Sequence, residues 1–481
     1  AMAAKSRLQS LVNFRKHNII DCLFISSKTG DGIKELIQQL ITTALDHNML
    51  KQMVPGNYLL MDQLIQKERS KHQWVRWSIY LKWAKQCNIS KDALSLTTRF
   101  LHDVGSLIYF ENNVGLRDIV ILDPQWLADV FASLITFNHQ WIKDGVLKTE
   151  DLPQIWKQYP KQLYPKLLML LTKFGVASPL SGTKSATHSS IADQYIVPSL
   201  LNEAKPEQAQ SLWTPMCAEN EVEFGRLYTF NFTFEFSKVL VALIHAANLR
   251  ADCFWRFGII VTDLQSPGSQ RGSIQWLPNS SQLRFCVRMD KFEFQKSQKL
   301  SLLRQIAEVI DSILEGFYCG SPTITREVLC SHCLARSSSL LEGVYQFSLD
   351  SLVDSVAEGQ WIVYCRGVPT RPVDIRYLAP DIAFCDFPVI PTDQYEIIKE
   401  VGRGGFGVVY YAKLAGHDAA IKELLLMAGE DSLDCGGEGD SFRKFAEFQQ
   451  EVYVMSALDH INLVRLFGVS LNPLRMIMEW C

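Results

Sequence analysis

The chain has 481 residues, 47% of them hydrophobic and 21% charged, a balance that excludes a disordered or collagen-like chain. At about 150 residues per domain, its length calls for roughly three domains. Lys and Arg number 48 against 51 Asp and Glu, a formal net charge of −3, which removes the basic footprint of a dedicated nucleic-acid or anionic-membrane binder. The longest apolar runs, Leu167 to Leu171 and Val239 to Ile244, fall far short of the ~20 residues that span a bilayer. The start Ala1-Met2-Ala3-Ala4-Lys5 lacks the apolar stretch of a secretory signal. The 12 Cys are scattered without repeated spacing and read as reduced, cytosolic thiols. Cys330-Ser-His-Cys333 offers metal ligands, but no second pair stands at finger-like distance, and the sequence assigns no metal.

Leu8, Leu11, Val12 and Phe14 follow a helical period, and Cys22-Leu-Phe-Ile25 reads as a short buried strand. Ser26-Ser-Lys-Thr-Gly-Asp-Gly32 is the polar loop after it, and Ile33, Leu36, Ile37, Leu40 and Ile41 stripe the helix that follows. Strand, loop and helix make an α/β unit, whose ligands bind at the carboxyl ends of strands. From about 46 to 205 the pattern is mainly helical, with apolar core positions through Trp74 to Trp83 and Ala93 to Leu101. Ile119 to Leu122 reads as a strand before a helix that Asp123 caps and Pro124 opens. Phe174 to Leu180 and Tyr195 to Leu201 predict a strand pair joined by the Ser/Thr-rich loop 181–194. Phe230, Phe232, Phe234 and Phe236 alternate with polar residues, the period of a half-buried strand within an α+β region. Leu303, Ile306, Val309, Ile310, Ile313, Leu314 and Phe317 form one face of a helix ending near Gly320 and Pro322. Tyr377 to Pro391 is a proline-punctuated connector, and a new domain begins near Tyr395.

Within that last domain, Gly402-Arg-Gly404-Gly-Phe-Gly407 is a G-x-G-x-x-G turn between two strands. A dinucleotide fold would need a helix after the last glycine. Here Val408 and Val409 continue an extended run, and a further strand ends at Ala419-Ala-Ile-Lys422. Glycines let a backbone lie close over phosphates without a Cβ in the way, and a Lys from the next strand neutralises phosphate oxygens. A helix expected at about Phe442 to Leu458 carries Glu447 and Glu451 one turn apart, and Phe448, Val452 and Met455 turn Glu451 inward, toward Lys422. Two strands follow, the last at Arg475 to Cys481. Between Glu423 and Arg443 an acid- and glycine-rich stretch reads as a flexible loop, with Ser432 and Ser441 as solvated serines.

On these residues the chain resembles the Roco family, the leucine-rich-repeat-kinase-like proteins with a Roc GTPase, a COR domain and a tyrosine-kinase-like Ser/Thr kinase in series. Ser26-Ser27-Lys28 looks like the S-A-K motif of small GTPases. Asp123-Pro-Gln-Trp-Leu127, Phe174-Gly-Val-Ala with Tyr195-Ile-Val-Pro-Ser-Leu200, and Ala379-Pro-Asp381 resemble COR. Gly402 to Val409, Lys422, Glu451 and Leu458-Asp-His-Ile-Asn-Leu-Val464 match a kinase amino-terminal lobe, with Ala419 in place of a usual valine and Ile461 in place of a common proline. The fold class implied is multidomain α/β and α+β: the end of a small-GTPase fold (1–45), a mainly helical first COR half (46–205), an α+β second half (206–380), a linker (381–394) and an antiparallel kinase amino-terminal lobe (395–481).

The resemblance implies a Ser/Thr protein kinase that moves the ATP γ-phosphate to protein hydroxyls under control of the Roc-COR module. Lys422 and Glu451 would be catalytic. ATP would meet Val401, Gly402, Gly404, Gly405, Phe406, Gly407, Val409, Ala420, Lys422, Met478 as gatekeeper, and Glu479 and Cys481 at the hinge; guanine would meet Ser26, Ser27 and Lys28. Cofactors implied are ATP with Mg²⁺, whose ligands would lie outside these residues, and GTP or GDP in a complete Roc domain. Partners implied are protein substrates and a second copy through COR, with no nucleic acid polymer and a cytoplasmic location. No G-x-x-x-x-G-K-[ST], N-K-x-D, H-R-D or D-F-G occurs; Asp386-Phe387-Pro388 precedes the glycine loop and lacks the glycine. The 481 residues are therefore expected to be a piece of a longer kinase, inactive alone. The competing expectation is a non-catalytic COR scaffold that acts by dimerisation.

Overall fold

The computed structural model describes residues 23–46, 53–135, 141–180, 192–264, 270–297, 300–315, 324–337, 342–384, 387–424 and 440–481, except positions 233, 368, 369, 405, 406, 459 and 472. The chain forms two compact units that divide between Leu201 and Asn202. Mixed helices and antiparallel sheets make up both, in agreement with the expected fold class.

In the first unit, helix α1 (Ile33–Asp46) follows the Ser26 loop. Leu23, Phe24 and Ile25, expected as a buried strand, are irregular and exposed. A strand persists only where a neighbour takes up its N–H and C=O groups, and among the described residues none pairs with this one. Helix α2 (Gly56–Arg69), strand β1 (Trp74–Arg76), helices α3 (Trp77–Gln86) and α4 (Lys91–Asp103), strand β2 (Ile119–Ile121) and helix α5 (Pro124–Ile135) follow. Trp74 is paired with Ile121 across the antiparallel β1–β2 ladder. Met61, Ile65, Tyr80, Leu101 and Val120 close one core. Asp123 caps α5 as expected, its Oδ1 accepting the Gln125 N–H at 3.0 Å.

Strand β3 (Val146–Lys148), helix α6 (Tyr164–Lys173) and strands β4 (Ser178–Pro179) and β5 (Gln194–Ile196) complete this unit. The sheet order is β3-β5-β4, so the expected β4–β5 pair exists in shortened form. The sequence between these two strands, 181–191, lies outside the described residues. Leu127, Val130, Trp156, Leu167 and Leu171 form the second core here.

The second unit begins with β6 (Glu221–Phe230), α7 (Phe236–His245), β7 (Leu249–Trp255), β8 (Gly258–Asp263), β9 (Gln270–Leu277), β10 (Gln282–Asp290) and α8 (Ser301–Glu315). Strands β11 (Ile324–Leu329) and β12 (Gln346–Ser348) finish a seven-stranded sheet of order β12-β11-β6-β10-β9-β8-β7, antiparallel throughout. The stripe on α8 is buried at Leu303, Ile306, Ile310 and Leu314. Gly272 lets this helix approach the sheet, since a Cβ there would stand 2.8 Å from Ile306 Cδ1. The phenylalanine alternation departs from expectation. β6 ends at Phe230 and Phe236 opens α7, while the intervening rings fold back on one another: Phe230 stacks on Phe234 at 4.4 Å and meets Phe232 edge-on at 5.4 Å. Burying aromatic area against Trp276 satisfies the same residues without a strand.

Helix α9 (Leu349–Ala357) and the hairpin β13 (Ile362–Cys365)–β14 (Arg371–Asp374) lead to the final domain. There β15 (Tyr395–Gly404), β16 (Gly407–Leu414), β17 (His417–Glu423), helix α10 (Asp440–Ala457), β18 (Leu466–Leu471) and β19 (Leu474–Glu479) form a five-stranded sheet of order β15-β16-β17-β19-β18 with one helix. One core runs without a break from Leu352, Val353 and Val356 of α9 through Phe384 to Phe445, Phe448 and Val452 of α10 and Met476 of β19. Ile390, Tyr395, Ala412, Ile421 and Ile477 form a smaller core on the sheet.

Candidate functional site

Strand alternation decides what β17 offers. Ala419 and Ile421 are fully buried, so Ala420 and Lys422 point to the opposite face. Directly paired residues share a face, and Lys422 is paired with Val409 on β16 and Met476 on β19, Ala420 with Met478. That face is where α10 packs, because Met476 shares a core with Phe445, Phe448 and Val452. Phe448 and Val452 are buried and flank Glu451 in sequence, which brings its carboxylate to the sheet. Lys422 Nζ donates to Glu451 Oε1 at 2.8 Å and Oε2 at 2.5 Å. The two side chains are 23% and 40% exposed, so solvent screens the pair and it contributes at most about 1 kcal/mol.

At the tip of the β15–β16 hairpin the glycines divide into two kinds. A Cβ on Gly407 would lie 2.1 Å from the Glu423 carbonyl oxygen, at a φ of +150°, so the hairpin itself requires glycine there. Among the described residues, a Cβ on Gly402 or Gly404 would meet nothing within 4 Å beyond its chain neighbours. Packing among the described residues does not explain these two; Gly402 lies across β16 from Lys422, both paired with Val409. Gly405 and Phe406 lie outside the described residues. Val401 and Cys481 are exposed. The Glu479 N–H donates to Arg465 O at 2.9 Å, which fixes the exit of β19.

Ser26, Ser27 and Lys28 sit in the other unit, in a tight turn. Gly30 N–H donates to Ser26 O at 2.8 Å, Ser26 N–H to Asp31 O at 2.9 Å, and Thr29 N–H to Ser26 Oγ at 3.2 Å. Ser27 and Lys28 face solvent.

Sequence reasoning missed the residues that hold α10 from outside its own domain. Gln449 Nε2 donates to Asp381 O at 2.7 Å, and the Asp381 carboxylate takes two hydrogen bonds from Arg226 Nη2, at 2.7 and 2.8 Å. The Arg304 guanidinium of α8 lies 3.7 Å over the Tyr453 ring. Phe384 sits 5.6 Å from Phe445 and 5.8 Å from Phe448, edge-on to both, and Phe387 sits 4.8 Å from Tyr453. Asp381 and Phe387 were legible only as parts of a connector; their partners are far away in sequence and carry no local signal. On β19, Arg475 donates through Nε to Glu423 at 2.6 Å and through Nη1 to the Tyr395 hydroxyl at 2.9 Å. Burial opposes its charge, but these two partners hold the guanidinium above its usual pKa.

Residues 55–201 match the family model "C-terminal of Roc, COR-A domain", and residues 395–481 match "Protein tyrosine and serine/threonine kinase". Probable serine/threonine-protein kinase pats1 of Dictyostelium discoideum is 31% identical over all of this chain and 15% of its own length. Cyclic GMP-binding protein C of the same organism is 27% identical, over 96% of this chain and 19% of the relative. Mouse leucine-rich repeat serine/threonine-protein kinase 1 is 21% identical over 97% of this chain and 27% of the relative. The chain thus spans under a third of each of these three relatives. A solved structure, Methanosarcina barkeri Roco2 RocCORdC bound to GDP, is 21% identical with a TM-score of 0.31, over 37% of this chain and 54% of that one.

Proposed function

The chain belongs to the Roco family, with a COR-A domain and a protein kinase match in series, and from that premise we propose that it supplies the phosphate-positioning half of a Ser/Thr protein kinase together with the COR surface that controls it. The Lys422–Glu451 pair beside two glycines that packing does not require carries this reading. The open backbone at Gly402 and Gly404 suits the close approach of phosphate oxygens, and Lys422, oriented by Glu451, neutralises them. Glu451 is a positioning residue in this scheme. Val409, Ala420 and Met478 line the same face of the sheet and suit the adenine ring. Mg²⁺ would neutralise charge on the transferring phosphoryl group; its ligands, the catalytic base and the protein substrate site belong to kinase motifs that these 481 residues do not contain.

Control by the Roc-COR module is the second part of the proposal. Glu451 reaches Lys422 only while α10 stays on the sheet, and α10 shares its core with α9 and Phe384. A COR rearrangement that shifts this core moves Glu451 directly. The COR region is also proposed to associate with a second copy, as the family reading implies.

The test is phosphotransfer by the longer protein that contains this chain. Lys422→Met is expected to abolish ATP-dependent phosphorylation of a Ser/Thr substrate while leaving the circular dichroism spectrum intact. Unchanged turnover in that variant would overturn the assignment of Lys422, and a wild-type protein without phosphotransfer would favour the COR scaffold.

A further inference from the structure

The cysteine pair to which the sequence assigns no metal acquires a third sulfur in space. Cys330 follows β11, Cys333 lies in the one-turn helix Ser331–Leu334, and Cys365 ends β13. All three are buried, and their Sγ atoms lie within 4.8 Å of one another, the one such convergence of metal-ligating side chains among the described residues. The Cys333 and Cys365 sulfurs are 3.6 Å apart. Zinc–thiolate bonds of ~2.3 Å in tetrahedral geometry place the sulfurs of one ion about 3.8 Å apart. The cluster therefore stands within about 1 Å of the arrangement one ion imposes.

Two further features fit thiolates better than packed thiols. The Gly367 N–H donates to Cys365 Sγ at 3.4 Å, and a Cβ on Gly367 would sit 3.1 and 3.2 Å from the sulfurs of Cys333 and Cys365. Glycine is what allows the backbone to close over the sulfurs. Arg371 brings Nη2 to 4.0 Å from Cys333 Sγ. Three thiolates, one divalent cation and this guanidinium sum to zero charge, which a buried site needs.

We propose that Cys330, Cys333 and Cys365 supply three thiolate ligands to a single bound zinc ion. Binding releases the thiol protons to solvent and forms three zinc–sulfur bonds, with no change of oxidation state. The ion would clasp the seven-stranded sheet to the β13–β14 hairpin. From that hairpin the chain runs straight into Asp381, which holds Gln449 of α10, so the site secures the connector on which α10 rests.

The experiment uses the 481-residue chain, purified under reducing conditions, desalted and assayed by plasma mass spectrometry. About one zinc per chain is expected, falling below about a tenth of that in Cys333→Ser and in Cys365→Ser and retained in Cys253→Ser, a buried cysteine outside the cluster. Exchange of zinc for Co²⁺ on the unmutated chain should give near-ultraviolet thiolate-to-cobalt charge-transfer bands together with visible bands of tetrahedral intensity, a readout independent of how the variants fold. An unmutated chain that holds no zinc and gives no such bands would overturn the proposal. So would metal that persists in both cysteine variants, or a Cys333–Cys365 disulfide as the form isolated under reducing conditions.

Discussion

Replacing Phe384 by Ala tests whether α10 is held by the segment that precedes its domain or by that domain itself. Phe384 is fully buried and touches α10 through the rings of Phe445 and Phe448. Truncating a buried Phe costs about 3–5 kcal/mol, and each lost edge-on aromatic pair belongs to that total. The Lys422–Glu451 pair contributes at most about 1 kcal/mol and cannot make up the difference. Two units and several cores make a single unfolding free energy ill-defined, so the suitable assay is amide hydrogen exchange resolved by peptide. In Phe384→Ala, the amides of α10 should exchange about 10²- to 10⁴-fold faster, while those of β8 and β9 stay within about threefold. Val454→Ala, at an exposed position on the same helix, should change little, within about 0.5 kcal/mol. Unaltered α10 protection in Phe384→Ala, or an equal loss across the whole seven-stranded sheet, would refute the reasoning.

Gly407→Ala should lower the melting temperature of the kinase-matching domain, because its Cβ collides with the Glu423 carbonyl, whereas Gly404→Ala should leave it unchanged and weaken MgATP binding in the longer protein; equal thermal effects would contradict the division between the two glycines. Arg226→Ala leaves the mostly buried Asp381 carboxylate without its two hydrogen bonds and should cost about 3–5 kcal/mol, seen as a larger drop in the urea midpoint of the second unit's transition than in Arg256→Ala at an exposed pair. Burial pushes the Tyr80 hydroxyl from its usual value of 10.0 up to about 12, against the Thr98 hydrogen bond, which lowers it. The native state then holds this proton more tightly than the unfolded chain, so the contribution is complete below pH 10 and is lost as pH rises toward 12, about 2–3 kcal/mol in all. The urea midpoint of the first unit's transition, followed between pH 9 and 11.5, should show that decline in the unmutated chain and a shallower one in Tyr80→Phe; identical slopes would sink the assignment. Sedimentation velocity of the 481-residue chain should reveal self-association through COR, and a strictly monomeric profile up to high micromolar concentration would remove that part of the proposal.

Local chemistry explains which features were legible in the sequence. Asp123 and Pro124 announce α5 because capping and a fixed proline φ act within three residues. The period of Leu303, Ile306 and Ile310 shows in α8 because one face meets one sheet. The Lys422–Glu451 ion pair was legible because β17 and α10 each turn a residue by simple alternation or helical period toward a shared face. The misses are all non-local. Leu23 to Ile25 has strand composition but no pairing partner among the described residues, and the phenylalanines after Phe230 have strand alternation but more aromatic area to bury by folding back. Cys365 is 32 residues from Cys333, so no spacing rule joins it to the Cys330–Cys333 pair. Arg226 is 155 residues from Asp381, and only the seven-stranded sheet brings them together.

The energies also bound how strongly the Lys422 site and the proposed control can influence one another. A partly exposed ion pair worth about 1 kcal/mol is too weak to move α10 and the core around Phe384, so forming that contact alone would bias the core little. Leu352, Val353, Val356, Phe384, Phe445, Phe448 and Val452 are buried together in one core, and close-packed interiors tolerate few intermediate arrangements. A shift of that core therefore makes or breaks the Glu451 contact outright. By reciprocity, a ligand that binds the paired form more tightly favours the matching arrangement of this core by the same differential free energy. With the ion pair as the main difference between forms, that is about a fivefold bias, and a larger one requires phosphate contacts at Gly402, Gly404 and Lys422 that the displaced α10 would forfeit.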